Sequence, residues 1–305
     1  MKPEYVYQPA RFLQRLLHKP DRSSPNALTA FGFPLDVMPD ELISNSIRRK
    51  GMYDIITAEV VYRLLDVNAQ AIDAGAHVGL MSVIMALRVW PKGIVQSFEP
   101  HPAVYEILCA NAARLNEALK AGIMRTSNLA LSDGPREAPL YLPQDWSANT
   151  GVARLDAPEN SGEPAASVEC QTLDDAVTLE KPVLMKLDVE GHELAVLRGA
   201  PRTLEKLRDI VFEDFGSYRT PAMTLLERQG FRIFALHRTL SHPILADPDR
   251  HDIPEKADPN YLATRDPGRA QERFKDVGWT VLRPLFKPVS ARADGSGSQA
   301  PEKSR

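Results

Sequence analysis

Residues 72–80 read Ile-Asp-Ala-Gly-Ala-His-Val-Gly-Leu, and this stretch decides how the rest of the chain is interpreted. A short apolar run ends here in an acid, two glycines follow four residues apart, and an apolar helical pattern begins at Leu80. This order predicts a strand, a tight turn and a helix at the carboxyl edge of a parallel sheet, where small ligands bind. A plain strand-to-helix turn without a ligand is the alternative, because short glycine motifs often arise by chance.

The acid in this turn argues against a dinucleotide. The Gly-x-Gly-x-x-Gly pattern of dinucleotide folds would place glycines at positions 73, 75 and 78, and two of these positions hold Asp73 and Val78. A carboxylate at the strand end also repels the pyrophosphate that this pattern receives on a helix N-terminus. The ligand is therefore expected to lack phosphate near the turn and to carry a cationic group, as S-adenosylmethionine does.

Composition and charge narrow the classes of function. The 305 residues, 43% of them hydrophobic, can bury a full core, and the length favours one large domain with extensions. The formal net charge of -3 gives no basic field for a nucleic-acid backbone, so a small-molecule partner is expected. Cys109 and Cys170 form no disulfide framework, and neither a signal-peptide core nor an apolar run of about 18 residues occurs. We therefore expect a cytoplasmic protein without a membrane span.

The chain divides by composition into three parts. Residues 1–51 are predicted to form a helical and irregular N-terminal extension, and residues 52–286 a main domain with a C-terminal addition after about residue 264. Residues 287–305, rich in Gly, Ser, Pro and charges, are predicted to be disordered. Within the main domain, residues 143–167 are interpreted as a mobile lid or a partly disordered segment. Residues 237–256 contain three prolines and are predicted to be a loop.

A second acid follows the next predicted strand. Glu99 stands directly after the β-rich run 94–98, and in doubly wound folds an acid here accepts hydrogen bonds from both ribose hydroxyls. It indicates a nucleoside without separating NAD from S-adenosylmethionine, and its alternative role is to favour a helix N-terminus. A third strand over about residues 123–131 ends in residues 132–134, which are typical of a plain turn. The functional interpretation places residues 130–133 beside an adenine.

The densest group of titratable residues follows the predicted strand at residues 183–187. Asp188, Glu190 and His192 stand at a strand-to-helix junction, at the same sheet edge as Asp73. The next strand, residues 210–212, adds acids at positions 213 and 214. Capping of the following helix explains only one acid, so several carboxylates at one edge favour a functional site.

In order and spacing these motifs resemble the FkbM family of S-adenosylmethionine-dependent methyltransferases, over roughly residues 69–264. The resemblance rests on residues 72–79, 98–102, 129–133, 172–174, 186–193 and 197–200. It implies that residues 52–286 are an FkbM-type domain with the class I methyltransferase fold. This α/β fold is a Rossmann-like sheet of about seven strands, mostly parallel with an antiparallel last strand, with helices on both faces.

The resemblance also implies roles for individual residues. Asp73, Gly75 and Gly79 would line the methionine part of the cofactor, and Glu99 would bind its ribose. The other residues that the resemblance assigns to cofactor binding are Ala130, Ser132 and Asp133 beside the adenine, together with His77 and Asp188. The chain departs from the family at His77, where Asn is usual, and at His192, where Ala is common.

Transfer to a hydroxyl requires a base, because the acceptor must lose its proton. Asp188, Glu190 and His192 are the candidate catalytic residues, and His192 matches neutral pH best by its reference pKa of about 6.5. The same three residues are a weak metal signal without ligand-specific spacing, so no bound metal is predicted.

The family's acceptors lead us to expect O-methylation of a sugar, a glycan or a small natural product. One alternative is a non-catalytic protein that binds S-adenosylmethionine or a related nucleoside. The other is an NAD-dependent oxidoreductase, which Asp73 and Val78 disfavour.

Overall fold

The computed structural model describes residues 2–11, 13, 21–142, 155, 164–249 and 259–286. The strands are β1 (Asn26–Leu28), β2 (Pro34–Asp36), β3 (Gln70–Ala74), β4 (Ile94–Phe98), β5 (Met124–Ser127), β6 (Ala130–Ser132), β7 (Arg136–Leu140), β8 (Ala166–Thr172), β9 (Pro182–Leu187), β10 (Asp209–Glu213), β11 (Arg232–Arg238), β12 (Pro243–Ala246) and β13 (Asn260–Thr264). The helices include α1 (Pro3–Tyr7), α2 (Leu42–Lys50), α3 (Ile55–Leu64), α4 (Leu80–Val89), α5 (Pro102–Leu119), α6 (Leu173–Ala176), α7 (Glu193–Arg198), α8 (Pro201–Lys206), α9 (Pro221–Arg228), α10 (Pro267–Arg273) and a 3-10 turn at Thr280–Leu282.

The central sheet has eight strands in the order β12-β11-β13-β10-β9-β3-β4-β5. Strands β10, β9, β3, β4 and β5 are parallel, and β13 runs antiparallel to both β10 and β11. The predicted mostly parallel sheet with an antiparallel last strand is confirmed. The eighth strand, β12, pairs antiparallel with β11 inside residues 237–256, so the prediction of a loop there was wrong for Pro243–Ala246.

Helices cover both faces of the sheet because the parallel strands are apolar on both sides. On one face Ala71 and Val95 pack with residues of α3, α4 and α5. On the other face Ile72, Ala74 and Phe98 pack with residues of α7, α8 and α9. The prediction of helices on both faces of the sheet is therefore confirmed. The carboxyl ends of the strands remain as the open edge of the sheet.

The third predicted strand is shorter than expected. It ends at Ser127, because the side chain of Asn128 donates hydrogen bonds to Glu99 O at 2.8 Å and Pro100 O at 3.0 Å and turns the chain. Residues 130–132 then join a separate three-stranded sheet in the order β6-β8-β7. This turn brings Ala130 to the open edge of the main sheet.

The apolar residues at positions 194, 197, 204 and 207 have the spacing of one helix, but the chain forms two helices here, α7 and α8. The backbone of Gly199 approaches β6 so closely that a Cβ there would lie 2.1 Å from Ser132 O. Pro201 opens α8 and has no N–H with which to continue α7. A close contact and a proline therefore divide the apolar pattern.

The N-terminal residues are part of the same hydrophobic core. Strands β1 and β2 form a hairpin, and Phe31, Phe33 and Leu35 are fully buried among the residues on the α4 face of the sheet. Near the other end of the described chain, Phe286 N donates to Phe31 O at 3.0 Å. The predicted division at residue 51 remains a prediction, as does disorder in residues 287–305, which lie outside the described residues.

The remaining expectations concern the lid, the thiols and the membrane. Most of residues 143–167 lie outside the described residues. Cys109 is a half-buried free thiol and Cys170 a buried one. Among the helices in the described parts of the chain, none combines the length and hydropathy needed to cross a bilayer.

Candidate active site

A cavity of about 600 Å³ opens at the carboxyl edge of the sheet, in the size range of small-ligand sites. Residues directly after strands β3, β4 and β9, as well as the last residue of β10, contribute to its wall. Seven residues that the sequence predicts for the site line this cavity: Gly75, His77, Glu99, Ala130, Asp188, Glu190 and His192. Asp73, Gly79, Ser132 and Asp133 do not line it.

Asp73 lies beneath the cavity rather than in its wall. Its side chain is fully buried, and Oδ2 accepts a hydrogen bond from Ser82 Oγ on α4 at 2.5 Å. Ser82 Oγ in turn accepts from Ser97 Oγ on β4 at 2.8 Å. Asp73 therefore joins two strands and a helix below the turn, and its direct contact with the cofactor stays a prediction.

Lys186 compensates the charge of Asp73. The two residues are cross-strand neighbours, with Lys186 Nζ 3.5 Å from Asp73 Oδ1 and 3.2 Å from Asp188 Oδ2. Burial alone would lower the pKa of Lys186, but the carboxylates of Asp188 and Asp73 outweigh it and raise this pKa, so the ammonium stays charged. Lys186 Nζ also donates to Gly75 O at 2.6 Å, which ties the pair to the glycine turn.

Glu99 is held with its carboxylate at the cavity wall. Oε2 accepts from His77 N and Oε1 accepts from His101 N, each at 2.9 Å. Burial raises the pKa of Glu99 to about 7, although both backbone bonds favour the charged form. A carboxylate oxygen has a second lone pair, so both oxygens can still accept from a ligand hydroxyl.

The two glycines of the turn meet different demands. Gly75 has a φ of +76°, and a Cβ there would lie 1.8 Å from Asp188 O, so the turn after β3 touches the end of β9. Gly79 has a φ of +91°, and a Cβ there would lie 2.7 Å from Leu108 Cδ1 on α5. Gly79 therefore permits helix packing, whereas Gly75 lines the cavity.

His77 lies between the two glycines in the sequence. Burial lowers the pKa of His77, so its ring is neutral at neutral pH.

The predicted adenine-side residues separate into two groups. Ala130 lines the cavity together with Leu129 and Leu131, which gives an apolar wall. Ser132 is fully buried, and its Oγ lies 2.8 Å from His192 Nε2, so Ser132 reaches the site only through His192. Asp133 is exposed and paired with Arg136 at 2.9 Å, away from the cavity.

Three carboxylates from two strand ends form an acidic cluster, which we define as Asp188, Glu190 and Glu213. One carboxylate oxygen from each of the three residues lies within 4.8 Å of the corresponding oxygens of the other two. Burial raises the pKa of Glu213 to about 9, with the charges of Asp188 and Glu190 adding to the effect. Such a cluster can hold a divalent cation, but exposed carboxylates are common without one, and the absence of a bound metal stays a prediction.

Several cavity residues were not identified as site residues from the sequence. Lys186 and Glu213 stand within or beside the predicted strand motifs, so their positions were visible there. The others come from distant segments and carry no local signal that marks them as neighbours. Those with polar side chains include Lys2, Glu4, Asn45, Arg49, Lys50, Tyr53, Asp54, Arg238 and Asn260.

Comparison with known proteins identifies the family. Residues 73–233 match the methyltransferase FkbM domain. The chain is 32% identical over 197 residues to methyltransferase sdnD of Sordaria araneosa, covering 54% of this chain and 74% of that protein. It is 27% identical over 144 residues to hexuronic acid methyltransferase AglP of Haloferax volcanii, covering 46% of this chain and 54% of that protein.

Among solved structures, methyltransferase FkbM from Methylobacillus flagellatus superposes with a TM-score of 0.43 at 17% identity, covering 66% of this chain and 44% of that chain. The family domain spans more than half of the chain, from the end of β3 to the start of β11. It includes Glu99, the glycine turn and the strand ends that form the cavity wall. The chain belongs to the FkbM family of S-adenosylmethionine-dependent methyltransferases.

Proposed function

We propose that this chain methylates a hydroxyl oxygen on a sugar, a glycan or a small natural product. The observation that carries the proposal is a single cavity that joins the Glu99 turn to the acidic cluster. S-adenosylmethionine, when bound, supplies an electrophilic methyl group on a sulfonium. The chain must then hold the nucleoside, orient the acceptor and take up the acceptor's proton.

The residues on the Glu99 side fit a nucleoside with a ribose diol. Glu99 is fixed by two backbone N–H groups and keeps lone pairs for the two hydroxyls. Leu129, Ala130 and Leu131 offer an apolar surface for the adenine. The turn at Gly75 and His77 is the proposed site for the methionine part.

Proton uptake is assigned to the other side of the cavity. Glu213, with a pKa of about 9, is protonated at neutral pH and cannot accept the proton. The candidates therefore remain Asp188, Glu190 and His192, all of which line the cavity. His192 is held through Nε2 by Ser132, so its ring orientation is fixed by a buried neighbour.

Similarity supports the class of acceptor. One relative is by name a hexuronic acid methyltransferase, which favours a sugar as the acceptor of this chain. A cytoplasmic location and the absence of a nucleic-acid partner remain part of the proposal, as does the division of the chain at residues 51 and 286.

The test uses S-adenosylmethionine with a tritiated methyl group and a panel of sugars, uronic acids and phenolic natural products. We expect label in a product that survives mild alkali, as a methyl ether does and a methyl ester does not. Asp188→Asn, Glu190→Gln and His192→Ala, compared at saturating cofactor, identify the base by the largest loss of turnover. Label only in alkali-labile or amine products would contradict O-methylation.

Two further outcomes separate the alternatives. Calorimetric binding of S-adenosylhomocysteine without transfer to any acceptor would favour a non-catalytic nucleoside-binding protein. Binding of NAD in its place would favour an oxidoreductase. The Glu99→Gln variant serves as the control in both titrations, because it alters the proposed ribose contact.

A further inference from the structure

Two groups of charged residues line the cavity, and Glu4 and Asp40 line it as well. The charges of the acidic cluster act on Tyr53, whose pKa is raised by burial and then by Asp54 and the three cluster carboxylates. A basic group, which we define as Lys2, Arg49, Lys50 and Arg238, lines another part of the wall. Burial lowers the pKa of Lys50, and the charges of Lys2, Arg238 and Arg49 lower it further, whereas the carboxylate of Glu4 raises it.

A structural role at the end of α2 does not explain why Arg49 and Lys50 line the cavity. Cations in the last turn of a helix are favoured by its dipole, and α2 ends in Arg48, Arg49 and Lys50 before Gly51. Arg48 is tied to the fold by hydrogen bonds to Ser24 O and Met38 O. In the described parts of the chain, the side chains of Arg49 and Lys50 have no hydrogen bond or ion pair, and both line the cavity.

Two buried polar residues of the cavity wall point independently to a ligand. Glu4 is 5% exposed and Asn45 is 8% exposed. Glu4 Oε2 and Asn45 Nδ2 have no hydrogen-bond partner among the described residues. Leaving such buried atoms unpaired is unfavourable, because each has lost its water without gaining a hydrogen bond. A hydroxylated ligand can supply both partners, because a hydroxyl donates to a carboxylate and accepts from an amide.

We propose that the basic group binds an anionic group of the acceptor, which is a hydroxylated molecule bearing a carboxylate or a phosphate. Glu4 and Asn45 contact its hydroxyls, and the acidic cluster receives the hydroxyl that is methylated. This inference rests on the proposed function, because it places the acceptor in the same cavity. It adds to that function that the acceptor is anionic and that the part of the wall with the basic group selects it.

The two groups of charged residues also orient the acceptor. An anion is attracted by Lys50 and its neighbours and repelled by the carboxylates around Tyr53. The acceptor's own anionic group is therefore held away from the base, and a neutral hydroxyl is presented to it. Methylation of the anionic group itself is disfavoured by the same arrangement.

The experiment is a calorimetric titration of the full chain, saturated with S-adenosylhomocysteine, at low ionic strength. The ligands are D-glucuronate, D-glucose 6-phosphate and D-glucose, which share a hydroxylated ring and differ in charge. We expect at least one anionic sugar to bind about tenfold or more tightly than glucose, as a charge-assisted contact would produce. The stronger of the two anions identifies carboxylate or phosphate as the group recognised.

The variant that tests the basic group is Arg49→Gln/Lys50→Gln. Its matched control is Lys206→Gln, which removes an exposed cation from the last turn of α8, outside the cavity. We expect the double variant to lose the preference for the anion, with unchanged affinity for S-adenosylhomocysteine. The control should keep both properties.

Three results would overturn the inference. They are equal binding of all three sugars or none, an anion preference that survives in the double variant, and weakened binding of S-adenosylhomocysteine in that variant. The last would show that the basic group holds the carboxylate of the cofactor. A wild type that fails to bind S-adenosylhomocysteine would contradict the proposed function instead, and the same titration of the free chain then decides the anion site.

Discussion

The two walls of the cavity are built in different ways. On the strand-end wall two charged groups are held by the protein itself: Glu99 accepts two backbone hydrogen bonds, and Lys186 lies between two carboxylates. On the N-terminal wall, which includes Glu4, Asn45, Arg49 and Lys50, Glu4 Oε2 and Asn45 Nδ2 have no hydrogen-bond partner among the described residues. Contacts within the protein therefore position Glu99 and Lys186, whereas the N-terminal wall keeps buried atoms that a ligand can pair.

This difference suggests that the two walls bind different ligands. A wall fixed by its own hydrogen bonds is preorganised for one invariant ligand, which suits a cofactor. A wall with unpaired buried atoms gains partners from its ligand, which suits the proposed acceptor. The four variants below test this contrast, from the largest expected effect to the smallest.

Replacing Lys186 tests whether the strand-end wall depends on its buried cation. Lys186→Met leaves Asp73 buried without its counter-charge, so we expect the free energy of unfolding to fall by about 3–5 kcal/mol. Urea denaturation measures the loss, and Lys206→Met, on an exposed helix end, is the control. A loss below about 1 kcal/mol would mean that Asp73 is neutral in the native protein.

Replacing Gly75 tests the contact between the glycine turn and the end of β9. A Cβ at Gly75 would lie 1.8 Å from Asp188 O, so Gly75→Ala must displace one of the two segments. We expect affinity for S-adenosylhomocysteine to fall about 100-fold, because small displacements of binding groups are costly. Gly134→Ala is the matched control, since a Cβ there meets no atom within 4 Å. Equal affinities in the two variants would contradict the expectation.

The pH dependence of binding tests the proposed ribose contact. Burial raises the pKa of Glu99 to about 7, so the carboxylate is protonated below this pH and ionised above it. Only the ionised form accepts hydrogen bonds from both hydroxyls without presenting a proton of its own. We therefore expect affinity for S-adenosylhomocysteine to rise about tenfold from pH 6 to pH 8.

The control for that profile is Glu99→Gln. Its side chain does not titrate, so calorimetry across the same range should give a nearly flat profile, at the lower affinity. A wild-type profile that is flat as well would remove Glu99 as the group responsible.

The smallest effect concerns the acidic cluster. The pKa of Glu213 rises from 4.5 to about 9 on folding, mainly by burial. Between these values the unfolded chain releases a proton that the native chain keeps, so this group lowers stability as the pH rises. Glu213→Gln removes the effect, and we expect its melting temperature at pH 8 to rise by about 3 °C, or about 1 kcal/mol after solvent screening.

The same measurement of melting temperature tests whether a cation binds to the acidic cluster. At pH 5 the two melting temperatures should differ much less than at pH 8, because Glu213 is protonated in the native chain and pH 5 lies only slightly above its unfolded pKa of 4.5. A wild-type melting temperature that rises with millimolar Mg²⁺, and does not rise in Glu213→Gln, would show that the acidic cluster is a metal site.

The sequence predicts the strand-end wall well because each of its parts is local. An acid or glycine that directly follows an apolar strand, such as Gly75, Glu99 or Asp188, must lie at the carboxyl edge once the sheet is parallel. The same reasoning did not anticipate that Asp73, the last but one residue of β3, is buried and accepts a hydrogen bond from Ser82. The argument from its negative charge also omitted Lys186, its cross-strand neighbour.

The N-terminal wall could not be predicted in this way. Lys50 and Arg238 lie 188 positions apart in the sequence, and only tertiary packing brings them together. Strand β5 also ends earlier than predicted because of a long-range contact: the side chain of Asn128 donates hydrogen bonds to backbone oxygens that follow β4. Local propensity carries no information on such long-range contacts.

The contact between Phe31 and Phe286 has a consequence for the order in which the protein matures. Phe286 N donates to Phe31 O, and the Phe33 and Phe286 rings meet edge to face at 5.1 Å. During translation, the hairpin that carries Phe31 leaves the ribosome long before residue 286 is made. The hairpin can therefore make this contact only after every strand of the central sheet has been synthesised.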